Sequence, residues 1–323
     1  MQRRIFLTGL ALLAGIAPAF GQNTAANFPN RPIKIVVPFP AGGPTDINAR
    51  ILGQKLSETW GQGVVIENRP GANTGIGAAV VAKSPADGYT LLAAMDTTMV
   101  MNPASGASMS YDPVKDFVPI TITAKNTSLL SVRAEDGPKT LKELIERGKA
   151  SSKKLTYGAG ITITRLAGLE FAKAAGIEVV LVPYKGSAEV VHGLLTGSVD
   201  FVVDGAAAGI PLVQAGKIRA LAKLNTRPLT ALPDLQFLGT AMPQIQEMSS
   251  WIGLVAPAGT PPEIVAKIHD GVVKAYADPA VAEKLDRAGI NAVTTTPAEF
   301  SKFIHEETAH WTKVFKETGV KFD

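Results

Sequence analysis

Short apolar runs alternate with helix-length amphipathic stretches along most of the chain. The runs that read as strands are Ile33–Phe39, Val64–Glu67, Leu91–Ala94, Phe117–Thr123, Leu129–Val132, Thr156–Tyr157, Glu178–Pro183, Phe201–Val203, Ile218–Ala222 and Ile252–Ala256. Between them, Asp46–Trp60, Leu141–Ala150, Arg165–Ala175 and Ala188–Leu195 carry a helical period. This alternation predicts an α/β protein with largely parallel sheets. The last third is helical, and Ile264, Ile268, Val272 and Tyr276 fall on one face that should cover a core. Thr260-Pro261-Pro262-Glu263 and Thr296-Pro297-Ala298-Glu299 both read as capping boxes with proline at the first helical position. Asp278-Pro279 opens another helix in the same way. With no internal repeat and no low-complexity linker, two domains would be joined by several short crossings rather than one tether.

The N-terminus has a different pattern. Arg3 and Arg4 precede an apolar stretch from Ile5 to Ile16, and Ala19-Phe20-Gly21 offers small residues for a signal peptidase. The apolar stretch is short of the roughly 20 residues a bilayer span needs, so residues 1–21 read as a cleaved export signal. Arg3-Arg4-Ile5-Phe6-Leu7 also resembles a twin-arginine signal. The chain has no cysteine, which excludes a lipidated anchor, disulfides and thiol chemistry, and leaves a periplasmic protein expected to act as a monomer.

Composition narrows the partners. Its 323 residues are enough for two ordinary domains. The formal charge is +4, and a leader holding Arg3, Arg4 and no acid takes two of these away. Basic residues are scattered among acidic ones, so neither nucleic acid nor an anionic membrane is an expected partner. Aromatics at 6% argue against sugar-stacking platforms.

The candidate chemistry lies in loops that follow strands. Phe39, Pro40, Ala41, Gly42, Gly43, Pro44, Thr45 and Asp46 lead from a strand into a helix. Glycines there would let backbone N–H groups approach a carboxylate or phosphate beside a positive helix terminus, with Thr45 capping the helix. A plain strand-to-helix turn fits the same residues. Gly160, Thr162, Thr164 and Arg165 open another helix, where hydroxyls and a guanidinium would face a carboxylate. They equally read as helix caps and a solvated arginine. Gly186 and Ser187 lead into a third helix. Asp204 ends the apolar run Phe201-Val202-Val203, at the strand end where open α/β sheets place ligands, or else caps the Gly205–Ala208 turn. Asp96, Thr97 and Thr98 hold the same position after Leu91–Ala94, with the same two readings.

Enzyme motifs fail on spacing. His305 and His310 are five residues apart, about 500° of helix rotation, unlike the i, i+4 pair of a zinc protease. Gly106-Ala107-Ser108-Met109-Ser110 lacks the closing glycine of a nucleophile elbow. Gly75-Ile76-Gly77-Ala78-Ala79-Val80 has valine where a dinucleotide fingerprint needs a small residue. No metal or cofactor is expected.

Several motifs resemble, closely and in order, the solute-binding proteins of tripartite tricarboxylate transporters, the Bug-type or TctC-like family. They are Arg31-Pro32-Ile33-Lys34-Ile35-Val36-Val37-Pro38-Phe39-Pro40-Ala41-Gly42-Gly43-Pro44-Thr45-Asp46, Glu67-Asn68-Arg69-Pro70-Gly71-Ala72 and Asp87-Gly88-Tyr89-Thr90-Leu91-Leu92. Pro183-Tyr184-Lys185-Gly186, Gly197-Ser198-Val199-Asp200, Ala215-Gly216-Lys217-Ile218-Arg219-Ala220-Leu221 and Ala256-Pro257-Ala258-Gly259-Thr260-Pro261 extend the likeness over nearly the whole mature chain. The resemblance implies a type II periplasmic-binding fold, two α/β lobes around a cleft with two hinge crossings. Residues 27–126 plus 250–323 would form one lobe and residues 127–249 an inserted one. It implies a non-enzymatic receptor that closes on a small carboxylate and delivers it to the permease subunits of a tripartite system. A sensor for a signalling receptor and an exported hydrolase or isomerase are the alternatives. One departure bears on the ligand. Arg165 stands in Thr162-Ile163-Thr164-Arg165-Leu166-Ala167-Gly168 where the family usually has histidine, and a second cation-binding carboxylate on the ligand would suit it.

Overall fold

The computed structural model describes residues 27–318; the proposed leader lies outside them. Eleven strands are present: β1 Ile33–Val37, β2 Val64–Asn68, β3 Thr90–Met95, β4 Phe117–Asn126, β5 Ser128–Arg133, β6 Leu155–Ala159, β7 Val179–Pro183, β8 Phe201–Gly205, β9 Ile218–Lys223, β10 Ser250–Pro257 and β11 Ile290–Ala292. They form a six-stranded sheet, β11-β4-β10-β3-β1-β2, and a five-stranded sheet, β7-β6-β8-β5-β9. Two helix-covered sheets make two lobes of the type II periplasmic-binding fold. The expectation of largely parallel sheets needs correction. β1 runs parallel to β2 and β3, and β6 parallel to β7 and β8, but β10 and β5 are antiparallel to both of their neighbours. The cause is topological: the strands at the lobe crossings enter each sheet from the opposite end.

Each sheet buries both faces, which is why its strands are almost continuously apolar. On one side of the six-stranded sheet, Leu52 and Leu56 of the helix Pro44–Trp60 meet Ile264, Ile268 and Val272 of the helix Pro262–Tyr276. On the other, Phe300 and Ile304 of the helix Pro297–Thr318 pack with Trp251, whose ring meets Phe300 edge-on at 5.3 Å. In the five-stranded sheet, Tyr157 stacks on Phe201 and Phe171 meets Phe201 edge-on. Among the described residues no helix is long and apolar enough to cross a membrane.

The two predicted capping boxes have different fates. Thr296 accepts the Glu299 N–H while Glu299 accepts the Thr296 N–H, as expected. Thr260 instead donates back to the Pro257 carbonyl, and Pro261 stands at the N-cap. Helices at Gly75–Ala82 and Ala206–Gln214 were not expected, because Gly75-Ile76-Gly77-Ala78-Ala79-Val80-Val81-Ala82 and Ala206-Ala207-Ala208-Gly209-Ile210 are apolar or small throughout and show no period.

The chain crosses between sheets at Asn126-Thr127-Ser128 and again at Ser249-Ser250. These crossings are polar yet buried, and Asn225 ties them together. Its side-chain amide donates to Thr127 Oγ1 at 3.2 Å and Ser249 Oγ at 3.0 Å, while Asn126 donates to Ser250 Oγ at 3.3 Å. Fully buried, Asn225 has no water to replace these partners. Asn225→Ala is expected to lower stability by about 1–3 kcal/mol, the desolvation penalty of stranded hydroxyls. Urea unfolding checks it, and a loss below ~0.5 kcal/mol would show that the crossings hold without the tie.

Candidate functional site

Four helices begin at one place between the sheets. Their N-caps are Gly43, Ile161, Gly186 and Gly205, preceding the helices Pro44–Trp60, Thr162–Ala175, Ser187–Leu195 and Ala206–Gln214. None of the four caps supplies a side-chain acceptor to its own first turn. All four line a pocket of about 30 Å³, enough for roughly one water. Phe39, Pro40, Pro44 and Thr45 line it from the six-stranded lobe together with Met95, while Gly160, Ser187 and Asp204 line it from the other lobe. Ser128 and Ser250 close it at the crossings.

The lobes meet at this pocket. A β-carbon added to Gly205 would lie 2.7 Å from Pro44 Cγ, and one on Gly186 would lie 3.3 Å from Pro40 Cδ. The close approach therefore depends on bare backbone at both positions. A wider cavity of about 370 Å³ adjoins the pocket, sharing Phe39, Pro40 and Gly160. That volume suits a small organic ligand. Arg165, Tyr184 and Lys185 line it from one side and the turn Pro70-Gly71-Ala72-Asn73-Thr74 from the other. Arg165 is half-buried, and its Nε is buried with no hydrogen-bond partner.

Asp204 is the acid of the pocket. One carboxyl oxygen accepts from Ser187 Oγ at 3.1 Å, and Oδ2 has no partner. Burial pushes its pKa up to about 7, only partly offset by Ser187 and the Gly205 N–H. Near neutrality its carboxyl is therefore half protonated and able to donate.

The other sequence candidates are placed differently. Asp46 does not face the pocket. It folds back to accept the Gly42 N–H at 3.0 Å and also binds Arg50 and Asn68. Burial pushes its pKa up, but these three partners outweigh it and hold the carboxyl below its ordinary range. The loop is thus braced from behind, with Gly42 at φ +85° and its N–H consumed. Ala41 and Gly42 line neither cavity. Thr45 does not cap its helix; its hydroxyl turns toward the Met95 sulfur. Thr162 is buried outside both cavities, and the Thr164 hydroxyl donates to the Ile161 carbonyl at 2.9 Å. Asp204 does not cap the following helix, whose N-cap is Gly205. Asp96, Thr97 and Thr98 line neither cavity, because Met95 takes the cleft-facing position and the chain then enters a π-helical turn at Thr97–Met101. The sequence reading missed Met95, Ser128, Ile161 and Ser250. The only signal for the two serines was a polar break within apolar strands.

Comparisons bear on this geometry. Residues 48–320 match the model of the tripartite tricarboxylate transporter family receptor, TctC. Protein BugT of Bordetella pertussis is 32% identical over 336 residues, covering 99% of each chain. Rpa4515 of R. palustris, solved with adipate, is 34% identical with a TM-score of 0.87, over 91% of this chain and 99% of that one. MatC from Rhodopseudomonas palustris, solved with bound malate, is 29% identical with a TM-score of 0.80, over 89% and 99%. The chain belongs to the TctC family of periplasmic solute-binding receptors of tripartite tricarboxylate transporters.

Proposed function

We propose that this receptor captures a small dicarboxylate between its lobes and delivers it to the membrane subunits of a tripartite tricarboxylate-type transporter. The observation that carries the reading is the set of four helix N-termini, two lobes' worth, opening without side-chain acceptors on one pocket. Such termini present N–H groups and a positive dipole end, which favour an anion. One carboxylate would enter there, with neutral Asp204 donating to it. The second would lie in the adjoining cavity near Arg165, whose Nε is unused. Adipate and malate, held by two structural neighbours, are both dicarboxylates. Because donors come from both lobes, a ligand satisfies all of them only when the lobes are shut, so binding drives closure.

The role of Arg165 is tested by substitution. Arg165→Lys keeps charge but loses the planar fork, and Arg165→Gln loses both. Calorimetric titration with adipate should show affinity falling a few-fold in the first and at least about tenfold in the second, with a monocarboxylate much less affected. Unchanged adipate affinity in Arg165→Gln would remove the second carboxylate from this position.

Asp204 sets the pH dependence. Its raised pKa means the donating, neutral form is present below about 7 and is lost above it. Dicarboxylate affinity should therefore hold from pH 5 to 6.5 and then fall by up to about tenfold per pH unit. In Asp204→Asn, whose amide donates at every pH, the profile should flatten. A wild-type profile flat to pH 8.5 would exclude Asp204 as a donor to the ligand.

Export is read from Arg3-Arg4, the short apolar stretch and the small residues before Gln22. Mass spectrometry of periplasmic extract should find a mature chain beginning near Gln22. An uncleaved chain confined to membranes would contradict this.

A further inference from the structure

A second cavity of about 250 Å³ lies on the reverse side of the crossings from the ligand pocket. Successive residues of a strand face opposite ways. Ser250 and Met95 line the front pocket, whereas their neighbours Trp251 and Asp96 line the cavity behind. Both of the latter are almost wholly buried, at 2% and 1% exposure, and both carry an unmet polar atom. Trp251 Nε1 lacks an acceptor and Asp96 Oδ2 lacks a donor. The other Asp96 oxygen is held by the Thr97 N–H and hydroxyl. A buried donor and a buried acceptor left open beside the same space call for an occupant that offers both functions.

The charges around the cavity are arranged by sign. Glu307 lies near Asp96, raises its pKa together with burial, and accepts from Trp311 Nε1 at 3.2 Å. This end is acidic and aromatic, which suits an ammonium group. Lys125, whose Nζ stands 5.4 Å from the centre of the Phe303 ring, and Arg227 from the other lobe also line the cavity. Neither forms an ion pair among the described residues. They offer a carboxylate its partners. A plain anion would meet Asp96 and Glu307, and a plain amine would leave Trp251 Nε1 and the cations unanswered.

We infer that this cavity is a second ligand site, taking a small zwitterionic amino acid. Its ammonium lies between Asp96 and Glu307, and its carboxylate is held by Trp251 Nε1, Lys125 and Arg227. The site is independent of the dicarboxylate pocket, and its test does not rest on that reading.

Trp251 and Trp311 are two of the three tryptophans in the chain, and the third, Trp60, ends the helix Pro44–Trp60 away from the cavity. Tryptophan emission therefore reports occupancy. The twenty protein amino acids are titrated one at a time to 10 mM, with the decarboxylated amine of each hit as control. The expected result is a saturable emission change for at least one amino acid. Its apparent affinity should fall at least tenfold in Asp96→Asn and in Arg227→Gln, and at least tenfold for the matching amine. Arg165→Gln should retain it. No saturable change with any amino acid would overturn the inference, as would a change that survives both cavity variants. Loss of the signal in Arg165→Gln would assign it to the front pocket, and equal binding of the amine would exclude the carboxylate partners. Circular dichroism of each variant keeps loss of binding distinct from loss of fold.

Discussion

Everything about the front pocket depends on helix N-termini that the chain leaves uncapped. The first turn of any α-helix has N–H groups without intrahelical partners, and side chains usually take them. Elsewhere this protein follows that rule: Thr140 accepts from Glu143, Asp278 from Ala280, and Thr296 from Glu299. Between the lobes the N-caps are three glycines and an isoleucine, none with a side-chain oxygen. Donors concentrated in a space of about 30 Å³ need water or an anion to answer them. The same absence of side chains lets Gly186 and Gly205 approach Pro40 and Pro44. Closure and anion attraction thus follow from one choice of residue.

The second constraint is the alternation of a strand. Ser249-Ser250-Trp251 runs along one crossing, and its middle residue faces the front while its flanks line the cavity behind. Met95-Asp96 divides in the same manner at the end of β3. A shift of one residue in either strand would bury Trp251 in the ligand pocket and carry Ser250 into the packing around Phe300. The registers of β10 with β3 and β4 prevent that, and the antiparallel ladder they form spans the whole length of β10. Asn225, bonded to both crossings, fixes them to each other.

Much of this was legible beforehand. Apolar runs located ten of the eleven strands, missing only the three-residue β11, and the strand-to-helix loops were named before any coordinates. Boundaries at helix starts came late, because Pro44, Thr162 and Ser187 were read as loop rather than as first-turn residues. What sequence could not reveal was the direction in which a side chain turns. Asp46, Thr45 and Thr164 have the polar atoms a ligand wants, yet each spends them on a neighbour: Gly42, Met95 and Ile161. Asp96 and Asp204 occupy equivalent strand ends, and only sheet parity separates a residue of the cleft from one behind it.

Those two aspartates carry the comparison to its end. Both are buried, both have one oxygen satisfied and one open, and burial brings both to about 7. Burial alone therefore does not decide what each can do. Asp204 lies where helix N-termini point inward, so an anion attracted by those termini finds in its neutral form a donor. Asp96 has Glu307 as its nearest charged influence and no helix start aimed at it except its own short turn. A cation entering there would be held by two carboxyls and would favour the charged form of Asp96. The same side chain at the same kind of strand end is thus turned into a proton donor in front and a cation acceptor behind by what surrounds it.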